Sequence, residues 1–191
     1  MNSRSKPTQA KQSRRLLLKG GVAGLLATIG IVPRIVWSKH YLDVDEARNL
    51  IWGEGDFSPV PVELSKEQMK SIRKTSKTRV RSKKINAFRN ENGDWFILDQ
   101  VIGKHENIDI AVGIDVAGKV RGIEVLEYRE SYGYEIMNPK WRAQFHGRDA
   151  SEVLKLDKQI RNISGATLSC RHITDGINRL TVTWEQVLQY I

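Results

Sequence analysis

The hexapeptide Ser164-Gly165-Ala166-Thr167-Leu168-Ser169 holds the residues of this chain best suited to chemistry. Gln159 to Ile163, before it, reads as a short extended segment. After it, Ile173, Ile177, Leu180, Trp184, Leu188 and Ile191 recur at steps of three and four, the buried face of a long helix. The hexapeptide therefore sits at a strand-to-helix turn. The first N–H groups of a helix lack internal partners, and the macrodipole places partial positive charge there, which together suit a phosphate. Gly165 lets the backbone come close to a ligand, Ala166 adds almost no bulk, and Thr167 sets a hydroxyl where the phosphate would lie. The competing explanation is a plain N-cap at Ser164 or Thr167.

A second candidate loop is Glu130-Ser131-Tyr132-Gly133-Tyr134, which ends a strand. Tyr132 or Tyr134 could lie against an aromatic ring, with Gly133 where the backbone must approach closely. No catalytic constellation accompanies these loops. His40, His105, His146 and His172 are scattered. Ser169, His172 and Asp175 follow at three-residue steps, which lays them side by side on one helix, without the convergence of a triad. Cys170 is the only cysteine. It excludes an intrachain disulfide, a haem attachment and a zinc pattern, and reads as small apolar packing.

The elements that must position these loops form an α+β domain. Asp43-Val44-Asp45-Glu46-Ala47 opens a short helix to about Ile51, with Asp43 as its cap. Gly53 to Pro61 reads as a turn-rich loop. Ser65-Lys66-Glu67-Gln68 is a capping box starting a helix to about Lys74, with Met69 and Ile72 as its apolar face. From Ile85 the pattern changes to strands. Ile85 to Arg89 leads through the Asn90–Gly93 turn to Trp95 to Leu98. Ile108, Ile110, Val112, Ile114 and Val116 alternate, so that strand should bury one face. Val120 to Tyr128 follows, where Gly122 suggests a bulge or a close backbone approach. The expectation is an antiparallel meander of about four strands, with flanking helices and a long C-terminal helix. Pro139 starts a short helix that turns Trp141 and Phe145 inward, and Ser151 to Leu156 reads as a further helical turn.

Ser164-Gly165-Ala166-Thr167-Leu168-Ser169 resembles the flavinylation motif of FMN-binding domains, found in subunits of the Na⁺-translocating quinone reductase and of related ferredoxin-linked membrane complexes. The resemblance covers roughly residues 85 to 190. It implies that FMN is joined to Thr167 through a phosphoester, with Ser164, Gly165, Ala166, Leu168 and Ser169 around it. A Glu-Thr-Pro-Gly-type loop upstream is matched at Glu130 and Gly133, while Ser131 and Tyr132 depart from it; with Tyr134 these complete the implied cofactor-binding set. Arg161 stands where the family usually has Asp, with Asp157 four residues further back. The resemblance also implies a Mg²⁺-dependent flavin transferase that uses FAD as FMN donor, and a membrane electron-transfer partner.

The net charge of +9 does not describe the folded part. The first 39 residues hold eight of the 31 Lys and Arg and no acid, so 23 basic residues face 22 acidic ones in the rest. That removes the main support for a nucleic-acid partner. Ser13-Arg14-Arg15-Leu16-Leu17-Leu18-Lys19 resembles a twin-arginine export signal, which implies the twin-arginine translocase as a partner and a periplasmic location. Gly20 to Val32 is about as long as a signal h-region, shorter than the roughly 20 residues of a span. Pro33 to Trp37 could extend it into an uncleaved membrane anchor. The chain thus divides into residues 1–38 as signal or anchor, 39–84 as a helical, basic extension, and 85–191 as the FMN-binding domain.

Lys70 to Lys84 carries eight basic residues and no acid. It reads as a solvated face, or as a surface for an acidic partner or anionic lipid. The leading expectation is an exported flavoprotein electron carrier. The alternatives are an exported non-redox module that docks through Lys70–Lys84, and a small flavin-dependent reductase.

Overall fold

Runs of β-branched and aromatic residues pair into a single antiparallel sheet in the computed structural model, which describes residues 39–191. The strands are β1 (Lys39–His40), β2 (Ser58–Glu63), β3 (Lys84–Arg89), β4 (Trp95–Ile102), β5 (Asn107–Ile114) and β6 (Val120–Tyr128). Their order across the sheet is β1-β6-β5-β4-β3-β2. Strands β2 to β6 form a five-stranded meander, and two residues of β1 extend it beyond β6. The helices are α1 (Val44–Trp52), α2 (Lys66–Ser76), α3 (Pro139–Arg142) and α4 (Thr167–Gln186). A 3₁₀ turn at Leu188–Tyr190 continues α4 to the end of the chain. The fold is α+β, as the pattern of the sequence predicts.

The meander is one strand longer than that pattern predicts. The stretch read as a turn-rich loop, Gly53 to Pro61, holds the first four residues of β2, which pairs with β3 from Ser58 with Arg89 to Glu63 with Lys84. Pro59 and Pro61 hid it, since proline argues against a strand. β2 is an edge strand, and its two prolines alternate, so both turn their missing N–H away from β3. Ser151 to Leu156 is also corrected: it is irregular, not helical. There Asn178 of α4, 3 % exposed, donates from its amide to the Leu154 carbonyl at 3.0 Å and accepts from the Leu154 N–H at 2.8 Å. A buried side chain thus does the work of a hydrogen-bond ladder. Gln159 to Ile163 is likewise no strand; it contributes only an isolated bridge between Leu156 and Ile160.

Caps and faces follow the residues. Asp43 accepts from the Asp45 N–H at 2.7 Å to start α1. The Ser65–Gln68 capping box closes at 2.8 and 3.1 Å to start α2, a device worth about 1 kcal/mol. α4 buries Ile173, Ile177 and Leu180, and the 3₁₀ turn after it Leu188, against one face of the sheet, where Ile97, Ile110 and Val112 meet them; of the rest of the expected stripe, Trp184 is half-buried and Ile191 is exposed. α1 covers the other face with Ala47 and Ile51 over Phe96, Ala111 and Leu126. β5 is therefore buried on both faces, not one; the exception is Val116, which lies beyond the strand and is exposed. Gly122 and its partner Gly113 fit both expectations. The ladder slips a register beside them, and a Cβ on Gly113 would stand 2.4 Å from Ile51 Cγ2.

Among the described residues no helix is long and apolar enough to cross a membrane. The twin-arginine stretch Ser13–Lys19, the apolar stretch Gly20–Val32 and the Pro33–Trp37 extension lie outside the described residues.

Candidate functional site

Thr167 is the first residue of α4. The preceding turn is closed by the Ala166 N–H donating to the Ile163 carbonyl at 3.0 Å, and Gly165 occupies it with φ +85°, the left-handed region. The N-cap is Ala166, with no side-chain cap. Neither Ser164 nor Thr167 caps the helix, so the plain N-cap explanation does not hold. The first amide of this end to find a backbone partner is Cys170, whose N–H donates to the Ala166 carbonyl at 2.9 Å. Those of Thr167, Leu168 and Ser169 have no acceptor among the described residues.

Ser164, Gly165 and Leu168 are exposed, Thr167 is half-buried, and Ala166 and Ser169 are buried beneath them. The Thr167 hydroxyl makes no hydrogen bond among the described residues, and nothing lies within 4 Å of a Cβ built on Gly165. This end of α4 thus offers three free donors, a free hydroxyl and open space. Those are what a phosphate ester of a flavin nucleotide requires, so the residues fit the group.

The two loops singled out in the sequence, over thirty residues apart, meet here. Gly133 has φ +92° and is buried; a Cβ on it would stand 2.8 Å from Ala166 Cβ and 2.7 Å from the Tyr128 hydroxyl. The Tyr128 hydroxyl, at the end of β6, donates to the Tyr132 carbonyl and lies 3.3 Å from Ser169 Oγ. One side chain therefore ties the loop to the first turn of α4. Burial raises the Tyr128 pKa, which keeps the phenol a donor. The Tyr134 ring packs edge-on against Tyr128 at 5.4 Å and against Tyr41 at 6.4 Å. Tyr132 is 81 % exposed beside the open turn, and Ser131 is exposed next to it.

Glu130 has a different task from its neighbours. It is 8 % exposed, and its Oε1 accepts from the His105 N–H at 2.6 Å and the Glu106 N–H at 3.1 Å. Burial pushes its carboxyl up, but the backbone donors of His105, Glu106 and Lys104 outweigh that and hold it below the usual carboxylate range. Its side chain thus fastens the β4–β5 turn to the start of the Gly133 loop. Because the folded-state pKa is depressed, the stability this contributes is present above the unfolded value of about 4.3 and is lost as pH falls through the folded one. Glu130→Gln should lose about 1.5–3 kcal/mol at pH 7, the range for hydrogen bonds to a charged group. Chemical denaturation from pH 7 to pH 3 should show the gap between the two proteins closing below about pH 4.

Three participants were not legible in the sequence. Tyr128 read only as the end of a strand, and Tyr41 lay outside the resemblance. Arg171 follows Thr167 by four residues, which is a signal that could have found it. That spacing puts it on the same helical face one turn on, and it is exposed with no ion pair among the described residues. Cys170 is fully buried and its thiol is pushed up by burial, as packing requires. Ser169, His172 and Asp175 do not converge; Ser169 turns to Tyr128.

Residues 103–182 match the FMN-binding domain family, a narrower span than the 85–190 of the resemblance. No curated protein matches the chain. The matched span opens at the turn that Glu130 fastens and takes in the Gly133 loop, the Thr167 turn and most of α4. Both loops that meet at Ala166 thus lie within residues 103–182, the span that matches the FMN-binding domain family.

Proposed function

We propose that this chain is an exported electron-transfer flavoprotein that carries FMN joined by a phosphoester to Thr167 and relays electrons to or from a membrane redox partner. One observation carries the reading. The uncapped start of α4, with an unpartnered Thr167 hydroxyl, is held against the Gly133 loop inside the FMN-binding span.

In loading, a Mg²⁺-dependent flavin transferase breaks the phosphoanhydride of FAD. Thr167 Oγ1 takes the FMN phosphoryl group, AMP leaves, and the hydroxyl proton passes to the transferase. The free N–H groups of Thr167, Leu168 and Ser169 would hold the phosphate, and Arg171 would add positive charge one turn away. Gly165 and exposed Ser164 leave the turn open to the transferase. Tyr132 offers an exposed ring for a heterocycle to stack on. Once bound, FMN would supply one- and two-electron transfer, and the chain's part is to hold and tune it. Covalent attachment suits an export route through the twin-arginine translocase, since a lost cofactor is not replaced outside the cytoplasm. The leader either leaves a free periplasmic protein or stays as its membrane anchor.

Intact mass of the exported protein, co-expressed with a competent transferase, tests this. The expected increment is one FMN less one water, on a chain with or without its leader. An unmodified mass under those conditions would overturn the proposal.

A further inference from the structure

A groove of about 730 Å³ opens beside α4, well beyond the first turn that carries Thr167. None of the residues assigned to the flavin lines it. Its origin is in the sheet. β3 pairs with β4 only as far as Asn86 with Leu98, so Asp99 to Ile102 pair with β5 alone and leave the far edge of β4 bare. The segment from Lys77 to Ser82, between α2 and β3, skirts that gap.

The lining has two characters. Leu64 and Val101 are buried in the floor, with Val80, Ile85 and Ile102 half-buried around them. The rim carries Lys77, Arg79, Arg81 and Lys84, all exposed and none in an ion pair among the described residues. The acids of the lining do not neutralise them. Asp99 is paired with Arg179, while Asp109 and Glu127 share Arg129 and together keep one net negative charge against the four cations of the rim. Asp175 is the one acid of the lining without an ion pair among the described residues, and burial raises its pKa. On the α4 wall, His172 holds Nδ1 buried without a hydrogen-bond partner.

We propose that this groove binds an amphipathic acid, a molecule whose apolar body lies on the Val80–Val101 floor while its acidic group meets Arg79, Arg81 and Lys84. The volume lies in the range of small-molecule sites. An inorganic anion would leave the apolar floor unused, and a neutral lipid would leave the rim uncompensated. Single-stranded nucleic acid needs aromatic platforms, and no Phe, Tyr or Trp lines the groove among the described residues.

Isothermal titration of the full-length protein tests the proposal, using octanoate, decanoate and dodecanoate below their aggregation limits, the matching alcohols, and acetate. The acids should bind saturably at one site, with affinity rising about three- to fourfold per added methylene. The alcohols and acetate should bind at least about tenfold more weakly. In the Arg79→Gln/Arg81→Gln double variant, whose changes are both exposed, the acids should weaken about tenfold and the alcohols should not change. Thr167→Val should leave all these affinities as they are, because the groove does not depend on the flavin. Affinity independent of chain length, equal binding of acids and alcohols, or no saturable binding would overturn the proposal.

Discussion

Thr167→Val should leave a folded protein that carries no flavin after denaturation, while Thr167→Ser keeps it. Valine replaces the hydroxyl with a methyl group and preserves the β-branched shape. The hydroxyl has no hydrogen-bond partner among the described residues and the side chain is half-buried, so nothing in the fold depends on it. The stability change should stay within about 0.5 kcal/mol, the usual limit for surface substitutions away from special features. The effect on attachment should be complete, because the phosphoester has no other oxygen to form through at that position. Serine restores the oxygen. Ser164→Ala is the matched control: Ser164 is exposed and does not cap the helix, so its loss should leave most of the flavin in place. In-gel flavin fluorescence after denaturation, read beside thermal melts, separates the outcomes. Flavin retained covalently by Thr167→Val would place the bond elsewhere and end the proposal.

What the sequence disclosed and what it hid follow from the range of the interactions. The strand character of β3 to β6, the Ser65–Gln68 box and the Ile173, Ile177 and Leu180 stripe of α4 rest on residues within one element, so their spacing was enough to find them. The Ser164–Thr167 turn that opens α4 was legible for the same reason. The misread segments depend on distant partners. β2 is a strand only because β3 offers it an edge, and Ser151 to Leu156 is held by Asn178, 24 residues beyond Leu154. Glu130 shows the limit inside the site itself. The motif placed it near the flavin, but its carboxylate is engaged by the amides of His105 and Glu106. The residue that joins the two loops, Tyr128, had no local signal at all, because its contacts span 4 and 41 residues.

That junction is where a small change should have the largest effect on the fold. Gly133→Ala meets two obstacles. At φ +92° a side chain is strained, by about 1–2 kcal/mol. The new methyl would also stand 2.7 Å from the Tyr128 hydroxyl and 2.8 Å from Ala166 Cβ, so it must push the loop off α4, and overpacking of this kind adds about 1–3 kcal/mol. Together these imply a fall in Tm of roughly 5–15 °C for a chain of this size. Gly147→Ala separates the two terms. Gly147 also has positive φ, +74°, but nothing lies within 4 Å of its Cβ, so only the backbone strain applies there. If the contact between the loop and the turn positions Thr167 for loading, Gly133→Ala should lower FMN incorporation below the temperature at which it unfolds. Gly147→Ala should not. Equal incorporation in the two variants, measured as moles of flavin per mole of folded protein at 20 °C, would mean that the Gly133 loop supports the domain without shaping the site. Tyr128→Phe then isolates the link itself: it keeps the ring in the core and removes the hydroxyl that joins Tyr132 to Ser169, so it should reduce incorporation while the sheet stays intact.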